Sequence, residues 1–143
     1  GCTICGSDLH TAVGRRSVQT PTILGHEAVG RIVSFGSNHS RCDYRNRTLH
    51  EGDRVVWPIT VSCKQCDLCR KGLPQKCLRG MKYGHHVFID DRSWTGGYAE
   101  YMLLDDNTDL VAIGADMALE IVCPVSCATA TICAALPASL PLE

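Results

Sequence analysis

The chain has 143 residues, ten cysteines, six histidines and a formal net charge of -1. That length buries one modest core, and the near-neutral charge excludes electrostatic binding to nucleic acid or to an anionic membrane. No apolar run approaches the roughly 20 residues of a membrane span and residues 1–6 lack the regions of a signal peptide, so the cysteines are expected in a reducing cytoplasm.

In chain order, residues 5–13, Cys-Gly-Ser-Asp-Leu-His-Thr-Ala-Val, read as a short helix capped by Ser7 or Asp8 and ended by Gly14. Ser7 and His10 then share a face; taken alone, they read as a cap and a surface histidine. Residues 21–36 are strand-like, with β-branched residues between glycines and with His26 and Glu27 at a bend after Gly25. Residues 37–49 are polar and read as a surface loop with one free cysteine, Cys42, and with His39 and, beyond it, His50 solvated. Residues 54–59, Arg-Val-Val-Trp-Pro-Ile, read as a strand whose edge or end is marked by Pro58.

Next comes Cys63-Lys-Gln-Cys66-Asp-Leu-Cys69, followed after seven residues by Cys77. A tetrahedral zinc ion takes four thiolates, and two-residue gaps let a tight turn aim successive sulfurs at one ion. A disulfide framework is the alternative in a secreted chain; the spacing and the apparent compartment favour zinc. The lobe has no room for regular structure. With these four cysteines committed, Cys5, His26, Glu27 and Cys127 remain for another site, and Cys, His and carboxylate are the donor types of an open, catalytic zinc centre.

Tyr83-Gly84-His85-His86 reads as a loop, residues 96–104 as a strand, residues 105–109 as a solvated acidic turn and Leu110 to Ile113 as a short strand. Residues 117–136 are small and apolar, a helical stretch interrupted near Pro124 and ended by Pro137 and Pro141. Its second half, after Ser126 or Cys127, reads as buried. No two glycines stand two residues apart, so a G-x-G-x-x-G phosphate loop is excluded and any dinucleotide must be held by other sequence.

Several of these stretches together resemble the zinc-dependent alcohol dehydrogenases of the medium-chain dehydrogenase/reductase superfamily. They are Cys5-Gly-Ser7-Asp8-x-His10, Gly25-His26-Glu27-x-x-Gly30, Gly52-Asp53-Arg54-Val55, the four-cysteine lobe, Gly96-Gly-Tyr98-Ala-Glu-Tyr101 and Cys127-Ala-Thr-Ala-Thr131. Within the superfamily, Gly72-Leu-Pro-Gln-Lys-Cys77 and Lys82-Tyr83-Gly84-His85 resemble dehydrogenases associated with phosphonate catabolism.

The resemblance implies a mainly β fold with short helices (α+β), a GroES-like antiparallel barrel with a zinc-binding lobe. Residues 1–122 would be a partial catalytic domain, and residues 123–143 the helix leading into a Rossmann domain. By that pattern the chain reads as a fragment, short of strands before Gly1 and of the nucleotide-binding fold after Glu143, and is expected to be poorly stable and inactive alone. The cofactors implied are two zinc ions and NAD or NADP. Cys63, Cys66, Cys69 and Cys77 would hold a structural zinc; Cys5, His26 and Cys127 would hold the catalytic one, with Glu27 adjacent. Asp8 would hold His26 through its other ring nitrogen, Ser7 and His10 would relay the proton, and Thr131 would lie near the nicotinamide. Trp57 and Ile59 would line the substrate pocket or, equally, the barrel core. The partners implied are a small alcohol and further copies of the full-length chain, with no nucleic acid and no membrane. A non-catalytic zinc module for protein contacts is the alternative, and the second ligand set with Ser7 and His10 beside it argues against that. A zinc ribbon for nucleic acid fails on charge.

Overall fold

The computed structural model describes residues 1–139. Six short strands, all paired antiparallel, carry the fold: β1 (Cys2–Thr3), β2 (Glu27–Arg31), β3 (Arg54–Val56), β4 (Thr60–Val61), β5 (Met81–Lys82) and β6 (Val111–Ala112). Four of them form one sheet in the order β1-β2-β3-β6, and β4 with β5 forms a separate ribbon. The architecture is mainly sheet with short helices, and no closed barrel forms among the described residues, because the edge strands β1 and β6 do not pair with each other.

Alternation along β2 and β3 builds the core on both faces of the sheet. Ala28 and Val55 face a cluster with Leu49, Trp57, Val61, Tyr83 and Leu110, while their neighbours Val29 and Val56 face Val122 and Cys123. Trp57 is therefore part of the first cluster. Tyr83, read from sequence as a loop residue, is fully buried: its ring meets Trp57 edge-on at 6.4 Å, and its hydroxyl bonds Thr108 Oγ1 and accepts the Asp105 N–H.

The expected strand over residues 21–36 contracts to β2, and that over 54–59 ends at Val56, just before Trp57-Pro58. Residues 96–104 form no strand. There Gly97 and Tyr98 bond the Gly25 and Leu24 carbonyls at 2.8 and 3.0 Å, while a Cβ on Gly96 would lie only 2.0 Å from Ile23 O. The two segments meet too closely and irregularly for a ladder.

Gly84, at φ 71°, faces Gly25 as tightly: a Cβ there would lie 2.5 Å from Gly25 O. A Gly84→Ala variant combines left-handed backbone strain with overpacking, and is expected to cost about 2–3 kcal/mol of unfolding free energy in urea titration. A loss within error of zero would mean that the backbone yields there.

The loop of residues 37–49 is not merely a solvated surface. Asp43 is 4% exposed and accepts the Arg45 and Arg47 backbone N–H groups and Arg47 Nε at 2.7–2.9 Å. Burial alone would raise its pKa, but these donors outweigh it and hold the carboxyl at about 2 against an ordinary 3.8. A lowered folded value means that this contribution to stability is complete above about pH 4 and is lost as pH falls towards 2. The melting temperature of wild type should exceed that of Asp43→Asn at pH 7, with the gap closing by about pH 2. A gap constant over that range would contradict the assignment.

The C-terminal stretch is broken near Pro124 as expected. α3 (Leu119–Val122) passes through a 3₁₀ turn (Cys123–Ser126) to α4 (Ala128–Ser139), with a bend of 62° between the halves. No single described helix is long and apolar enough to cross a membrane. The expected burial of the second half is not observed: residues 128–136 are exposed, Ile132 at 60%. Apolar side chains are spread around α4 rather than along one stripe, the pattern of a helix covered on several sides, and over residues 128–136 no element among the described residues supplies that cover. α4 also runs through Pro137 to Ser139, where the missing donor falls in its final described turn; Pro141 lies outside the described residues.

Candidate metal centres

The cysteine lobe is more ordered than its spacing suggested, with one turn of helix, α2 (Asp67–Arg70), and a 3₁₀ turn at Pro74–Lys76. The Cys66 sulfur lies 3.5 Å from Cys69 Sγ and 3.8 Å from Cys77 Sγ. A tetrahedron of ~2.3 Å zinc–sulfur bonds has edges of roughly 3.8 Å, so the donor set has the size that zinc requires. The Cys66 and Cys63 backbone N–H groups point at Cys63 Sγ and Cys77 Sγ at 3.3 and 3.2 Å. Backbone N–H groups at Cys69 and Leu78 lower the Cys66 thiol to about 6, whereas burial pushes Cys69 up to about 12. The cluster favours thiolate at one sulfur and resists it at the next, as expected where a cation is needed to ionise all four.

The second constellation is assembled from four parts of the fold. Cys5 caps the helix α1 (Gly6–Ala12), displacing Ser7 and Asp8 from that role, because Asp8 at the third helical position accepts the Cys5 N–H at 3.0 Å. Gly14, at φ 73°, follows the C-cap Val13. His26 leaves the Gly25 bend, at φ 93°. Glu27 starts β2 in register with Thr3, whose hydroxyl donates to Glu27 Oε2 at 2.8 Å. Cys127 follows the 3₁₀ turn packed on the far face of the sheet, where Ser126 Oγ donates to His26 O at 3.1 Å. One ligand atom from each of Cys5, His26, Glu27 and Cys127 lies within 4.8 Å of the others.

The chemistry of this set fits a divalent cation. Burial first, then the adjacent Cys5 and Glu27, push the Cys127 thiol up to about 12; crowded, partly buried anionic donors of this kind are relieved by a cation. His26 is 3% exposed, and its Nδ1 lies 3.3 Å from Asp8 Oδ1, though neither atom completes a well-angled hydrogen bond. With Nδ1 turned to the carboxylate, Nε2 is left for the cluster. Ser7 Oγ stands 3.5 Å from His26 Nε2. His10 is exposed on the same helix, and Thr131 sits exposed on α4 with its hydroxyl donated to Cys127 O at 2.7 Å. The large open cavity, about 1080 Å³ and lined by Val29, Ile32, Phe35, Trp57 and Leu110 among others, contains none of these ligand candidates.

Three neighbours of the site escaped the sequence reading. Thr3 holds Glu27, Tyr98 reaches Asp8 at 3.0 Å, and the His85 ring lies 5.0 Å from that of His26 with Nε2 buried and unpartnered. All three meet the centre across the fold, and local spacing carries no signal of such contacts.

An antiparallel sheet flanked by a four-thiolate lobe and a mixed cysteine, histidine and carboxylate cluster is the architecture of a zinc-type dehydrogenase catalytic domain. The alcohol dehydrogenase GroES-like domain matches residues 1–115, and the chain belongs to that family, within the medium-chain dehydrogenase/reductase superfamily. It is 31% identical over 132 residues to NADP-dependent alcohol dehydrogenase C of Mycobacterium bovis, covering 90% of this chain and 36% of that protein. A glutathione-independent formaldehyde dehydrogenase of Pseudomonas aeruginosa is 34% identical over 104 residues, covering 71% of this chain and 24% of that protein. Among solved structures, an alcohol dehydrogenase from Thermotoga maritima superposes with a TM-score of 0.89 at 29% identity, covering 98% of this chain and 39% of that one. The chain thus spans 24 to 39% of the length of these relatives.

Proposed function

We propose that this chain carries the zinc-binding half of an NAD(P)-dependent oxidation of a small alcohol to an aldehyde or ketone. The observation that carries the reading is the convergence of Cys5, His26, Glu27 and Cys127 within 4.8 Å, since a metal module serving protein contacts alone has no need of a second, three-protein-ligand centre. In this reading Cys63, Cys66, Cys69 and Cys77 hold a closed, structural zinc and Cys5, His26 and Cys127 hold the catalytic one. A zinc ion with three protein ligands and one open position supplies Lewis acidity to an alcohol bound there.

The chain's own residues do the rest. Asp8 turns the His26 ring, Thr3 restrains Glu27 beside the cluster, and Ser7 Oγ, next to His26 Nε2, accepts the hydroxyl proton while passing its own on towards His10. His10, exposed on the same helix, returns that proton to water. Thr131 would meet the nicotinamide, and the dinucleotide itself would be held outside residues 1–143. We place the domain division at residues 122/123 and expect the full-length enzyme to be a cytoplasmic homo-oligomer.

The test is alcohol-dependent reduction of NAD and NADP by the full-length protein. A Cys5→Ser variant is expected to lose at least about a thousandfold in kcat, the scale of several kcal/mol of Lewis-acid stabilisation. An unchanged rate would overturn the reading. The 143-residue chain alone is expected to give no reduction.

A further inference from the structure

Tyr98 stands 90 residues from Asp8 in sequence yet is bonded to it across the fold. Its N–H donates to Leu24 O at 3.0 Å, and the preceding N–H, of Gly97, to Gly25 O at 2.8 Å. Its ring lies so close to Gly25 that a Cβ there would come within 2.8 Å of Tyr98 Cδ1. The residue is thus fastened to the segment that delivers His26.

The hydroxyl reaches further. It donates to Asp8 Oδ2 at 3.0 Å, with Thr3 O a second, longer acceptor at 3.3 Å. Asp8 Oδ2 also accepts the Cys5 N–H at 3.0 Å, which leaves Oδ1 facing His26 Nδ1 at 3.3 Å. Thr3 in turn donates its side-chain hydroxyl to Glu27 Oε2 at 2.8 Å. One phenol therefore touches the supports of both His26 and Glu27. Tyr98 is 41% exposed as a whole, and partial burial, then the Asp8 carboxylate, raise its phenol's pKa above the usual range.

We propose that Tyr98 is a positioning residue of the second metal centre, fixing the His26 ring through Asp8 and the Glu27 carboxylate through Thr3. This rests on the reading that Cys5, His26, Glu27 and Cys127 hold a zinc ion. A phenylalanine keeps the ring against Gly25 and removes only the hydroxyl. Partners of this kind, which orient metal ligands without touching the metal, are worth about 10–100-fold in metal affinity.

The experiment is a chelator titration of the zinc-loaded chain, with Cys5→Ser identifying the ion that belongs to the second centre. In Tyr98→Phe that ion should be surrendered at about tenfold or more lower chelator strength, while the ion of the cysteine lobe is kept as in wild type. Combining Tyr98→Phe with Asp8→Asn should weaken retention by clearly less than the sum of the two single effects, because the phenol's hold on His26 passes through that carboxylate. Unchanged or tighter retention in Tyr98→Phe overturns the proposal, as do additive effects in the double variant or loss of both ions together, which would mark a general structural role. A wild-type chain holding one zinc ion that Cys5→Ser does not lower overturns the underlying reading and this proposal with it.

Discussion

Cys66→Ser is expected to release the zinc ion of the cysteine lobe and to unfold residues 63–77. Of the residues in that segment only Cys66 is buried, so there is no apolar core to hold the turns once the metal has gone. Among the described residues the lobe has one ion pair to the remainder of the chain, Lys64 to Asp109 at 2.8 Å, which is exposed on both sides and is worth at most about 1 kcal/mol. Structural zinc contributes about 10–16 kcal/mol of apparent binding free energy in such sites, far more than any other contact the lobe makes. Elemental analysis should show one zinc ion fewer per chain, and limited trypsin digestion should cut at Lys64, Arg70, Lys71 and Lys76. Full zinc content with an unaltered digest would contradict a structural metal centre.

Tyr83→Ala is expected to bring the largest loss in the core, about 3–5 kcal/mol. The side chain is fully buried, packs against Trp57 and answers both Thr108 and the Asp105 N–H through its hydroxyl. Against a total stability of roughly 5–15 kcal/mol for a domain of this kind, that change removes between about a fifth and all of it. Tyr83→Phe, which keeps the ring and strands the two polar partners, should cost less, about 1–3 kcal/mol. Urea titration of both variants separates ring from hydroxyl, and equal losses would place the whole effect in the hydrogen bonds.

The candidate metal donors stood out in the sequence because such residue types are scarce and recur at short spacings, three cysteines each separated by two residues and a His-Glu pair after a glycine, while Pro58 and Pro124 marked where regular structure stops. What escaped the sequence depends on contacts across the fold. Asp43 stands in a polar stretch like any solvated aspartate, and only the folded loop turns three donors from Arg45 and Arg47 onto it. Residues 96–104 carry strand-forming side chains, but the close approach of Gly96 to Ile23 O replaces a ladder with isolated bonds. The helix cap moved from Ser7 or Asp8 to Cys5 because Asp8 serves better from inside the first turn, where one oxygen takes the cap N–H and the other faces His26. α4 has the composition of a buried helix, yet composition does not say against what, and among the described residues its side chains over 128–136 stay exposed. Tyr98 shows the same limit at the metal centre, since its link to Asp8 exists only when β1, α1 and the Gly25 bend have come together.

The most direct test of the account is zinc per chain on reduced, purified protein, measured beside Cys5→Ser. Two zinc ions falling to one in the variant is the predicted result, and it would place a metal on the Cys5, His26, Glu27 and Cys127 set independently of the cysteine lobe. One zinc ion in both proteins would contradict the second centre and leave the chain with the lobe's metal alone.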